Sequence, residues 1–124
     1  MFSYYANGGD VSYGNYLTFP IEMVNIGETF DGTKFKCTIE GYYDFSFAGN
    51  NYRDANTVIA VHKNGNYQLK FYIQDDQNDF HMFSFSWQMK LSVGDEIKLK
   101  VQQGKIYTWP AAYRIFNGKF IRGL

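Results

Sequence analysis

A single cysteine, Cys37, two histidines and two prolines are all that the 124 residues contain of these types. One cysteine excludes an internal disulfide. With His62 and His81 nineteen positions apart, the chain also lacks the donor set of a zinc site, so Cys37 reads as a buried small hydrophobe. Lys+Arg 12 against Asp+Glu 12 leaves a formal net charge of +0. That balance argues against the broad basic footprint of a nucleic-acid-binding or anionic-lipid-binding domain. No apolar run approaches the ~18 residues of a membrane-spanning helix, and Met1-Phe2-Ser3-Tyr4 is not a basic-then-apolar secretory leader. Asn-x-Ser/Thr is also absent, so glycosylation offers no hint of compartment.

What is abundant is aromatic and turn-forming: twelve Phe, eleven Tyr, two Trp and twelve Gly. Helical spacing is scarce, and period-two alternation recurs along the chain, as half-buried antiparallel strands require. Leu17, Phe19, Ile21 and Met23 share one face of a first clear strand, and Phe35, Cys37 and Ile39 repeat the pattern. Tyr43, Phe45 and Phe47 predict a central core strand. Thr57 to Lys63 runs into Asn64-Gly65, the pair that favours a two-residue type I′ hairpin, so Leu69, Phe71 and Ile73 should pair back. Phe83, Phe85, Trp87, Met89 and Leu91 form the longest alternating run. Ile97, Leu99 and Val101 follow, and a last strand spans Arg114 to Leu124. The first fifteen residues read as an opening strand with a long loop. The expectation is one all-β domain over residues 1–124, a jelly-roll β-sandwich of about ten antiparallel strands.

Phe19, Asn25, Phe30, Phe35, Gly41 and Tyr43-x-Phe45-x-Phe47 lie at spacings that resemble the signature of the C1q globular domain, in the C1q/tumour-necrosis-factor superfamily. Asp31-Gly32-Thr33-Lys34 makes a shorter connection than that pattern has, which implies a tightened loop. The resemblance continues at Phe2-Ser3, Lys63-Asn64-Gly65, Leu91-x-x-Gly94-Asp95-x-Ile97-x-Leu99 and Phe116-x-Gly118-x-Phe120-Ile121, and so covers the whole chain. It implies a jelly roll that assembles as a homotrimer, with aromatic residues around the threefold axis, in secreted proteins that recognise ligands. The aromatic content is more than one small sandwich core readily hides, and an oligomer interface would give the surplus a place.

No Gly-x-Ser-x-Gly elbow, phosphate-binding Gly-Lys-Ser/Thr loop or convergent pair of carboxylates points to catalysis, so the expectation is a protein that is not an enzyme. Asp75, Asp76 and Asp79 are the one dense acidic group. They read either as a solvated turn or as oxygen ligands for Ca2+, and C1q-like heads that hold calcium near this loop imply the second. Tyr107, Trp109 and Tyr113, around Pro110, can stack on the apolar face of a sugar; the bland alternative is that they cap the sandwich or fill an interface. Tyr52, Arg53 and Asp54 could supply polar partners for the same ligand. The expected function is carbohydrate or cell-surface pattern binding by a trimeric, lectin-like head of the kind used in innate immunity. A secreted signalling or adhesion ligand for a protein receptor, and a structural trimerisation head, stand beside it. Neither nucleic acid nor membrane insertion is expected.

Overall fold

The computed structural model describes residues 1–27, 29–51, 56–74, 82–110 and 112–124. Among them the backbone forms eleven strands and no helix: β1 (Phe2–Ala6), β2 (Val11–Ser12), β3 (Ile21–Asn25), β4 (Phe35–Lys36), β5 (Gly41–Asn51), β6 (Thr57–Lys63), β7 (Asn66–Ile73), β8 (Met82–Leu91), β9 (Glu96–Gln103), β10 (Lys105–Tyr107) and β11 (Arg114–Gly123). All pair antiparallel in two sheets. The first runs β2-β10-β5-β11-β1-β3, with β8 on the free side of β5, and the second runs β4-β9-β6-β7. This is the expected all-β jelly-roll sandwich.

Eleven strands rather than about ten follow from Gly104, whose φ of +77° breaks the run from Glu96 to Tyr107. β9 belongs to the four-stranded sheet, and β10 crosses to the other. A side chain at Gly104 would collide with the Asn56 carbonyl oxygen, so the corner needs glycine.

A second change of sheet overturns one expectation from the alternation. Leu17 and Phe19 are buried, but Met23 is 62% exposed and the strand begins only at Ile21. Leu17 N–H donates to Leu99 C=O on the four-stranded side, whereas β3 pairs with β1 on the other. Pro20, with no N–H to offer a ladder, stands between the two pairings. One face therefore cannot persist from 17 to 23. Similarly β4 stops at Lys36: Phe35 and Cys37 are buried, while Ile39 is exposed and gives its carbonyl to the Tyr43 hydroxyl. Cys37 packs as a core residue.

Along β1, β9 and most of β5 the alternation holds, whereas Thr57 to His62 of β6 are all buried. Tyr43, Phe45 and Phe47 on β5 face Ile59, Val61, Ile97, Leu99 and Val101 of the opposite sheet in one core cluster. Phe116 stands among the rings of Phe2, Phe19, Phe30, Phe45 and Trp87, with centroids 5.1 to 6.3 Å away. Such ring pairs add to the area term of burial. Asn64 and Gly65, with φ of 54° and 85°, make the type I′ turn that the Asn-Gly pair predicts.

Candidate functional site

β10 ends at Tyr107, and the chain then turns tightly, Trp109 and Ala112 exchanging backbone hydrogen bonds across Pro110. Beneath this turn Arg114 is buried, unusual for so costly a cation unless its donors are used. Its Nε donates to Thr18 C=O at 2.8 Å, and Nη1 donates to Thr108 Oγ1 at 3.0 Å and to Gly9 C=O. Burial lowers the guanidinium pKa to about 10, with the Asp10 carboxylate pulling the other way, so it remains charged at neutral pH. Asp10 accepts from the Thr108 backbone N–H at 3.1 Å. Arg114 thereby ties residues 9, 18 and 108 together and fixes the base on which the aromatic turn stands.

Tyr107 and Trp109, both half-buried, meet edge to face with centroids 4.7 Å apart. Tyr113 does not join them in ring contact. Its ring stacks on Tyr5 of β1 at 5.1 Å and 24°. The turn therefore carries two aromatic units, Tyr107 with Trp109 and Tyr113 with Tyr5. Tyr52, Arg53 and Asp54 lie outside the described residues, although Asn51, at the end of β5, pairs with Ile106 beside Tyr107. Asp75, Asp76 and Asp79 also lie outside them. Among the described residues no group of three or more His, Cys, Asp or Glu side chains is placed to hold a metal ion.

Two further surfaces were not singled out from sequence. Ser3, Asn117, Ser46 and Ser86 stand in one cross-strand row over β1, β11, β5 and β8. These small side chains floor a groove of about 330 Å³ on the outer face of the seven-stranded sheet, bounded by Met1, Val24, Asp44 and Lys119. The second surface is apolar. β7 and β8 edge their sheets, and there Phe71 stacks on Phe85 at 4.3 Å and 15°. Phe71, Phe83, Phe85 and Met89 are partly buried and pack against the core. The alternation of β8 shows in the sequence; that its apolar face lies at an open edge depends on sheet order.

The family model described as the C1q domain matches residues 4–121. The chain belongs to the C1q domain family. The structure titled "Globular Domain of Zebrafish Complement 1qA protein" superposes with a TM-score of 0.82 at 19% identity, covering 99% of this chain and 98% of that one. This C1q domain also resembles the Eiger TNF of S. frugiperda, with a TM-score of 0.66 at 9% identity over 99% and 94% of the two chains. Rabbit GITRL gives 0.57 at 12% identity over 77% of each chain. At these identities the likeness is one of fold. No curated protein sequence matches the chain as a relative. Among the described residues of this C1q domain, no helix is long and apolar enough to cross a membrane.

Proposed function

We propose that this C1q domain is the recognition head of a secreted, non-enzymatic protein that acts as a homotrimer and binds carbohydrate or another microbial or cell-surface pattern. The observation that carries the reading is the pairing of two unspent surfaces on one chain. The Phe71, Phe83, Phe85 and Met89 edge is only partly buried against its own core, and the Ser/Asn groove offers a concave face of small side chains. An edge of one copy against the groove face of the next is a head-to-tail contact, and such contacts form a ring of three when each is related to the next by a threefold rotation. Three copies then carry three Tyr107–Trp109 turns, and linked weak sites bind a repetitive surface far more tightly than one does. Tyr107 and Trp109 stack on the sugar, while Arg114 holds the turn in place.

The test is a glycan-array screen of purified protein of confirmed mass, run with calcium and again with chelator. Selective binding that Trp109→Ala abolishes without changing the mass supports the reading. A blank array from a confirmed trimer refutes the carbohydrate half and transfers the surface to a protein receptor. If Trp109→Ala dissociates the assembly, Trp109 is an interface residue.

A further inference from the structure

The outer face of the four-stranded sheet carries a charge arrangement that the Tyr107–Trp109 turn does not use. Ala60, at the centre of β6, is flanked by Lys70 on β7 and Lys100 on β9, and in the next row His62 is flanked by Tyr67 and Lys98. Strands lie about 4.8 Å apart, so the two flanking lysines start roughly 10 Å from each other, with Lys98 one row, about 7 Å, along the sheet. Tyr16 bridges to Lys100 at the sheet margin and reaches across to His62, its hydroxyl 3.3 Å from Nδ1.

These three lysines are held by rings. Lys98 Nζ and Lys100 Nζ stand 4.6 and 5.5 Å from the Tyr16 centroid, and Lys70 Nζ stands 4.4 Å from that of Tyr67. By contrast Lys34, Lys63 and Lys105 each reach a carboxylate, on Glu96, Asp95 and Asp10, at 3.0 to 3.6 Å. No such ion pair forms at Lys70, Lys98 or Lys100 among the described residues. A ring attracts and orients an ammonium but leaves its charge uncancelled. The face is therefore a compact cationic cluster on a chain whose formal net charge is +0. Beside it His62 is only 8% exposed, and its Nε2 is buried with no hydrogen-bond partner among the described residues.

We propose that this lysine–tyrosine face binds a sulfated polysaccharide, with Lys70, Lys98 and Lys100 taking sulfate groups and Tyr72 bordering the sugar chain. Tyr72 lies one row from Ala60, opposite Val58, and is 70% exposed. The short reach of the cluster and the flanking aromatic favour a sulfated sugar over duplex nucleic acid, which calls for a longer basic track. Each lysine belongs to the same chain, so the site is complete in a single copy and does not depend on the Tyr107–Trp109 reading.

The test uses the full chain on immobilised heparin at ~0.15 M salt. Removing two such charges lowers affinity about thirty-fold, taking about 1 kcal/mol for each lysine facing an anionic surface. Lys70→Gln/Lys100→Gln should show this loss. Lys90→Gln/Lys105→Gln, which removes the same charge from the other sheet, should bind as the parent does. If the first variant melts early, Lys98→Gln carries the same comparison with about a five-fold loss. No binding by the parent overturns the proposal, as does equal weakening by the two double variants. Equal affinity for duplex DNA, or displacement by inorganic sulfate at matched sulfate concentration, overturns the polysaccharide assignment.

Discussion

Gly118→Ala isolates the close packing at the centre of the sandwich. A Cβ there would stand 2.7 Å from Cζ of Phe2, closer still to its Cε1, and 3.0 Å from Cδ1 of Phe45. Phe2 has no easy retreat: its ring stacks on Phe30 at 4.4 Å and 7°, with Phe116 edge-on at 5.1 Å and Phe35 at 5.6 Å. Forcing a methyl into a filled core costs about 1–3 kcal/mol. For a domain of this size that is a fall in Tm of roughly 3–15 °C, taking about 3–5 °C per kcal/mol. The assay is urea and thermal unfolding at one fixed protein concentration, because assembly would make stability concentration-dependent. Phe2→Leu removes ring atoms that the new methyl would strike. Phe2→Leu/Gly118→Ala should therefore lose less than the sum of the two single variants, by at least about 1 kcal/mol. A neutral Gly118→Ala, or strict additivity in the double variant, would refute this account of the core.

His62 supplies a prediction with a definite sign. Burial first, then Lys100 and Lys98, hold its pKa below the usual 6.5, so the folded state keeps the ring neutral while the unfolded state takes up a proton. Stability from this residue is complete above pH 6.5 and falls as pH drops through that value toward the lower folded one. Unfolding free energies between about pH 7.5 and 5 should show the parent losing more than His62→Gln; a parallel pair of curves would contradict the burial argument. At the aromatic turn, Tyr113→Ala should weaken glycan binding less than Trp109→Ala, because Tyr113 stacks on Tyr5 rather than on the Tyr107–Trp109 pair. Equal losses in a binding titration would show that all three rings form one platform. If the acidic segment takes calcium, the parent's Tm should rise with calcium and fall back with chelator, and Asp75→Asn/Asp79→Asn should remove the rise. No rise in the parent would end the calcium proposal.

Strand identity was legible where a strand carries its own period-two record, as β1, β5 and β9 do, while Thr57 to His62, buried on both faces, was legible from the run into Asn64-Gly65. Tyr43, Phe45 and Phe47 are buried as the pattern predicts, and Asn64-Gly65 turns as its residue types require. Which sheet a strand joins is a long-range matter that no local period encodes. The chain changes partners around Pro20 and again at Gly104, and there the expected faces or strand boundaries fail. The candidate sites suffer more from this limit. Tyr113 finds Tyr5 near the other end of the chain, His62 finds Tyr16, and Arg114 is buried by acceptors on Gly9 and Thr18. Each pairing depends on strand order. The lysines that line one face do alternate visibly, as Lys98 and Lys100, but Lys70 joins them only through the β6–β7 register. A signature spread from Phe19 to Phe47 conveys the family because its aromatic positions are those that the core needs.

The mass of the purified chain in solution tests the central claim most directly, since multivalent recognition requires the apolar edge and the groove face to be covered by neighbouring copies. Light scattering across a concentration series should give three times the 14.4 kDa chain mass, held down to low micromolar protein. Phe71→Ser/Phe85→Ser should lower it to a single chain. A parent that runs at the mass of one chain throughout, with its glycan binding intact, would contradict the account.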